Sequence, residues 1–176
     1  MSLKSRARTV SKIMAEAISS VDPSGLSEDV LTTLKEEHNE VKGLLSDLSE
    51  ASSAAKRKDL VKRIRKALVP HTQAEQKIVY DAVLALRDRE AKTDGYEGYL
   101  EHELAAAALK RLSSISNCAS PEHHATAKVL RELVTHHIRE EESALWGDVK
   151  SHFSLQQREH MNRTYLAAKR RVRLSA

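Results

Sequence analysis

Six side chains in this sequence have the types and the spacing to hold metal ions: His38, His71, Glu75, His102, His137 and Glu141. They form two sets of one pattern, a lone histidine followed by a His-x-x-x-Glu pair. Residues i and i+4 of a helix stand one turn apart on the same face. Each pair can therefore reach a single cation lying against that face. Four neutral imidazoles and two carboxylates suit iron, manganese or zinc. Two ions are favoured over one, because carboxylates can bridge ions and six donors exceed one tetrahedral site.

The pattern belongs to a longer internal repeat. The segment HTQAEQKIVYDAV, His71 to Val83, aligns with HIREEESALWGDV, His137 to Val149. Upstream, EEHNEVKGLL around His38 aligns with LEHELAAAAL around His102. The repeat is thus a two-helix unit used twice. Tyr80 and Trp146 hold equivalent places in it. Their size and position predict ordinary core packing, with packing against the metals as the alternative.

A lone histidine in an apolar stripe is usually a hydrogen-bonded core residue. Here there are four, one in each long helical segment, at equivalent heights. Two glutamates share those stripes, and a buried carboxylate needs a partner or a metal. On the fourth segment His136/Glu140 also has the right spacing, but its stripe runs on to Ser143 and Gly147. The His137/Glu141 stripe runs through Leu130 and Leu145, which makes it the inward one. His136, Glu140 and Glu142 are then expected at the rim, where they can orient ligands. His123, His124, His152 and His160 are expected to be solvated surface or helix-end residues.

The elements that must position these groups are helical. The apolar stripe Leu31, Leu34, Val41, Leu45 and Leu48 predicts a helix over about Glu28–Glu50, started by Ser27, with His38 in the gap of the stripe. A second helix is expected over Lys56–Arg89, bent at Pro70 beside His71. Thr93, Asp94 and Gly95 read as a turn, followed by a helix over Tyr96–Ser116. Pro121 suits the first turn of a helix to His152. Weaker stripes predict helices over Ser5–Ser20 and Leu155–Arg170. The fold expected is all-α, an antiparallel up-and-down four-helix bundle over 27–152. An accessory helix over 1–26 and a C-terminal helix with a basic tail over 153–176 are added to it.

Composition agrees and excludes other classes. Aromatic residues make up 3% of the 176, and no alternating apolar run suggests a sheet. No stretch is long and apolar enough for a membrane span, so no membrane partner is expected. A single cysteine, Cys118, excludes an internal disulfide and thiolate-rich metal sites, and points to a reducing, cytoplasmic setting. The net charge of +4 is concentrated at the two ends, including Lys169, Arg170, Arg171 and Arg173. A solvated tail is the expectation there; a protein partner stays open and nucleic acid is not expected.

The pattern H…HxxxE…H…HxxxE, carried by His38, His71, Glu75, His102, His137 and Glu141, resembles the hemerythrin-like (HHE cation-binding) family over about residues 28–152. The resemblance implies a bundle around two non-haem irons, oxo- or hydroxo-bridged, with the two glutamates bridging. The ferritin-like alternative needs Glu-x-x-His, which none of the nine histidines has. One departure stands out. Oxygen-carrying relatives have a fifth histidine one turn after the third-helix ligand, and here that position is Ala106. Tyr99, Glu103 and Glu37 are the candidates to replace it; without them one iron keeps an open position. This favours binding or reducing a small oxidant (O2, H2O2 or NO), in stress response or sensing, over oxygen storage. The alternative is a non-catalytic, metal-dependent signalling or interaction module. A zinc hydrolase ranks last, since H-E-x-x-H is absent.

Overall fold

The computed structural model describes residues 28–174. The helix expected over Ser5–Ser20 lies outside the described residues. Helix α1 (Val30–Glu50) starts on Asp29, whose carboxylate accepts a hydrogen bond from the Leu31 N–H at 3.1 Å. Helix α2 (Ala54–Glu75) is capped by Ser53 and runs through Pro70 as one helix. A five-residue π-helical turn, π1 (Gln76–Tyr80), and the short α3 (Asp81–Leu84) extend it.

The next boundary differs from expectation. The second helix stops at Leu84 rather than Arg89, and α4 (Arg89–Ser114) begins on Asp88. The Asp88 side chain accepts from the N–H groups of Glu90 and Ala91 at 2.8 and 3.1 Å. Thr93, Asp94 and Gly95, read as a turn, lie inside α4. Gly95 is there for close packing, since a Cβ at this position would sit 3.2 Å from Leu84 Cδ2.

Helix α5 (Pro121–Glu140) is capped by Ser120. A second π turn, π2 (Glu141–Leu145), and α6 (Trp146–His152) follow. Helix α7 (Leu155–Lys169) opens with a capping box between Ser154 and Gln157.

The arrangement is an all-α bundle, with no strand among the described residues. Helices α1, α2, α4 and α5 pack in a closed ring, and α7 lies against α1 and α2. The connections 51–53, 85–88 and 115–120 are short, as antiparallel neighbours require. No described helix is long and apolar enough to cross a membrane.

The core is divided. One apolar cluster holds Val30, Leu34, Ile78, Tyr80, Trp146, Phe153 and Tyr165. The other holds Val41, Leu45, Leu60, Ile64, Leu109, Leu130 and Ile138. Between 34 and 41 on α1, and between 138 and 145 on the last long helix, sit His38 and Glu141. The histidines and glutamates thus form a polar layer between two apolar ones.

Candidate metal centre

All six expected side chains are buried, each no more than 4% exposed. They converge as two groups of three. Glu75 Oε2 lies 3.2 Å from His71 Nε2 and 3.6 Å from His102 Nε2. Glu141 Oε2 lies 3.3 Å from His38 Nε2 and 3.6 Å from His137 Nε2. Each group takes a His-x-x-x-Glu pair from one repeat and the lone histidine of the other. The groups meet where His102 Nε2 and His137 Nε2 stand 3.0 Å apart. Ligand atoms of His38, Glu75, His137 and Glu141 lie within 4.8 Å of one another, close enough to hold a metal ion.

The donor set fits a cation. His38 Nε2, both Glu75 oxygens and Glu141 Oε2 are buried without a hydrogen-bond partner. Such orphans are costly unless something else satisfies them. The far sides of three of the four rings, in contrast, are tied down, while His102 Nδ1 is buried without a hydrogen-bond partner among the described residues. Nδ1 of His38 bonds to Glu142 at 3.0 Å, that of His71 to Glu37 at 3.0 Å and that of His137 to Glu101 at 2.8 Å. A carboxylate on Nδ1 fixes the proton there and leaves the Nε2 lone pair facing inward, as in metal-ligating histidines.

The electrostatics agree. Burial, with Glu141 as neighbour, pushes the Glu75 carboxyl up. Burial would also raise Glu141, but His137 and His38 outweigh it and hold that carboxyl low. Burial would lower His71, yet Glu75 and Glu37 push it up to about 10. Without a cation, these carboxylates favour the protonated form of His71.

The two π turns follow directly on Glu75 and begin at Glu141. Their i→i+5 bonding brings the residue five places on over the starting face. Tyr80 and Trp146 are therefore both core residues and neighbours of the centre. The Tyr80 hydroxyl donates to Glu141 Oε1 at 2.9 Å and lies 3.3 Å from His102 Nε2. The Trp146 ring stacks on His38, with centroids 5.7 Å apart and planes at 13°.

None of the three replacement candidates reaches the centre. Ala106 and Glu103 are exposed. The Tyr99 hydroxyl lies 2.9 Å from both Asp81 Oδ1 and the Gln76 carbonyl oxygen, which share its one proton. Glu37 sits behind His71. The inward face of α4 continues one turn before His102, at Gly98, and the Tyr80 hydroxyl occupies the space beside it.

Of the expected rim residues, Glu142 bonds to His38 and to Lys35. His136 is exposed and faces Glu101 at 3.3 Å, and Glu140 pairs with Arg139. Glu101, Tyr165 and Lys169 were not foreseen. The Tyr165 hydroxyl donates to Glu37 at 2.5 Å, and the Lys169 ammonium lies 2.8 Å from the same carboxylate. Burial would raise Glu37, but His71, Lys169 and Tyr165 hold it at about 2. Helix α7 thus supports the centre from outside the repeat. His123 departs from expectation: it is 1% exposed, not solvated, and it lines a pocket with Leu48 and Ser49 from the end of α1 and Arg57 from the start of α2.

A cavity of about 30 Å³ reaches the centre between α4 and π2, ending on Tyr80, His137 and Glu141. Asp94, Glu97, Glu101 and Glu140 line it.

The hemerythrin HHE cation binding domain matches residues 29–147. A DNA nickase of Nostoc sp. (strain PCC 7120 / SAG 25.82 / UTEX 2576) is 27% identical over 144 residues, 82% of this chain and 40% of that protein. The chain therefore spans less than half the length of this curated relative. No solved structure matches it. The family match covers well over half of the chain, and its two-helix repeat supplies the buried histidines and glutamates just described: the chain belongs to the hemerythrin HHE cation-binding family.

Proposed function

We propose that the polar layer holds two iron ions and that the centre binds or reduces a small, uncharged oxidant such as O2, H2O2 or NO. The observation that carries this reading is the pairing, in His38, His71 and His137, of inward Nε2 atoms with Nδ1 groups anchored on carboxylates. His71, His102 and Glu75 would hold one ion, and His38, His137 and Glu141 the other. Each group is two histidines and one carboxylate, a donor set that leaves coordination positions open and suits iron. Manganese and zinc are accepted by the same atoms. Bound iron supplies redox chemistry and a position for the oxidant.

The chain's own groups set what can enter and what happens to protons. A cavity of about 30 Å³ matches molecules of the size of water or O2. Its acidic lining disfavours anions. The Tyr80 hydroxyl, donating to Glu141, is the one O–H group at the end of that cavity and can hold a proton beside a bound oxidant. Trp146 and the two apolar layers keep bulk water out.

Iron loaded into chelator-treated protein tests the reading. Two irons per chain, near-ultraviolet bands that are lost in Glu75→Gln, and consumption of hydrogen peroxide or NO are expected. One iron or none, or a loaded protein inert to O2, H2O2 and NO, overturns it.

A second reading rests on the Nostoc relative, whose name assigns it action on DNA. It runs against the expectation that nucleic acid is not a partner. In this reading the chain is a metal-dependent interaction module without turnover. A phosphodiester does not fit the cavity, so DNA would meet the outer surface. Supercoiled plasmid incubated with the iron-loaded chain discriminates: retention or nicking favours this reading, and an unaltered, unbound plasmid rejects it.

A further inference from the structure

At the end of the bundle away from the Tyr80 cluster, a pocket of about 200 Å³ lies between α1, α2 and α5. Arg57, His123, His124, Lys128, Arg131 and Ser49 supply its polar lining, and no carboxylate lines it. Among the described residues, neither Arg57 nor Arg131 has a carboxylate partner. Arg57 meets only the Cys118 carbonyl, at 3.5 Å, and its Nε is buried and unbonded. Arg131 reaches Ser49 Oγ at 3.3 Å. His123 is 1% exposed, and neither of its ring nitrogens is hydrogen-bonded. A buried imidazole beside two guanidinium groups, all with unused N–H capacity, lacks an acceptor. The first turn of α5 adds the positive end of its dipole.

We propose that this pocket seats a phosphate group, presented by the backbone of a nucleic-acid strand. A tetrahedral oxyanion accepts from the Arg57 and Arg131 forks and from the one N–H of a neutral His123. Burial, with His124 and Arg57 beside it, lowers His123 from its ordinary range and so favours the neutral ring. The surface next to the pocket favours a strand over a free ion. Lys128, Arg131, Thr135 and Arg139 follow one another at steps of three and four on the exposed face of α5. Arg131 is shared with an adjoining groove that Lys42 and Arg139 also line. From His124 to Arg139 this face runs about 22 Å, the length of several phosphates along a strand. Glu132, the one acid lining the groove, faces Lys128 at 3.8 Å across exposed surface.

The inference is independent of the oxidant chemistry and gives the DNA reading a surface. Its test is fluorescence anisotropy of the full chain with a labelled 20-nucleotide single-stranded DNA, at several salt concentrations, with inorganic phosphate as competitor. Arg57→Ala with Arg131→Ala should weaken binding about tenfold or more and reduce the salt slope by about 1.4, the value for two contacts to a single strand. Lys110→Ala, on the exposed face of α4, should leave both unchanged. The optical spectrum of the iron-loaded double variant should match that of the parent, so failure here is separate from failure of the metal reading. Equal binding by parent and double variant overturns the proposal, as does the absence of any binding. Binding of phosphate without DNA assigns the pocket to a free ion and overturns the nucleic-acid source.

Discussion

Gly98→Ala probes the centre without touching a ligand. A Cβ at position 98 would lie 2.8 Å from Tyr80 Cζ and 2.9 Å from both Cε2 and Oη. The phenol cannot swing away. His102 stacks on it at 5.2 Å, Tyr99 meets it edge-on at 5.4 Å, and Glu141 holds its hydroxyl. Overpacking of this kind costs about 1–3 kcal/mol. Pulling the hydroxyl off a charged, buried acceptor costs about 1.5–3 kcal/mol more if the bond is lost. Against this, alanine in a helix interior gains about 1 kcal/mol over glycine. The net is a loss of about 1 kcal/mol if the bond survives and about 3 kcal/mol if it does not. Gly43, in the exposed interior of α1, has nothing within 4 Å of its added Cβ. Gly43→Ala should therefore gain up to about 1 kcal/mol. At roughly 2–4 °C per kcal/mol for a chain of this size, the two variants should melt on opposite sides of the parent in calorimetry. Gly98→Ala should also alter the spectrum of the iron-loaded centre, and Gly43→Ala should not. If both raise the melting temperature alike and leave the spectrum unchanged, the tight placement of Tyr80 is wrong.

Three further outcomes follow from the contacts around the centre. Glu101→Gln removes the carboxylate on His137 Nδ1 and should weaken metal binding about 10–100-fold, read by competition with a chelator; unchanged affinity would deny Glu101 its orienting role. In the metal-free chain, Glu37 is held at about 2 against an ordinary value of 4.5. A depressed carboxylate stabilises the fold above the higher value and loses that contribution as pH falls through the lower one. Urea titrations from pH 5 to pH 2 should therefore show a loss of about 3 kcal/mol, reduced in Lys169→Ala; a flat profile would contradict the buried pairing. Ser154→Ala breaks the capping box of α7 and should cost about 1 kcal/mol, detectable as a lower urea midpoint.

Much of this was readable from residue order because helical period and ligand spacing are the same geometry. Histidine at 38 falls in the gap of an apolar stripe, and a stripe position is an inward position. The same argument chose His137 over His136. The turn read at Thr93–Gly95 failed because a glycine does two jobs. Gly95 looked like punctuation, and it is a close-packing residue against Leu84. His123 failed because an exposed-looking helix start can be covered by the end of a neighbouring helix, which only the tertiary fold decides. Glu101 and Tyr165 were invisible for a related reason. Their partners, His137 and His71, are 36 and 94 residues away, and nothing in local spacing records such a pair.

The π turns explain how a repeat that looks symmetric gives a centre that is not. In an uninterrupted α-helix the residue five after Glu75 would point about 140° away from it. The extra residue of each π turn cuts that offset to about 40° and turns Tyr80 and Trp146 inward at matching places. From there the two halves diverge. Trp146 only covers His38 with its ring, and its Nε1 finds no partner. Tyr80 reaches across to the glutamate of the other half. Its room to do so comes from Gly98, at the point of α4 where a larger side chain would block it. The cavity opens on the Tyr80 side. It leads onto His137 and Glu141 of the other half, so the hydroxyl of one repeat and the glutamate of the other face the same opening.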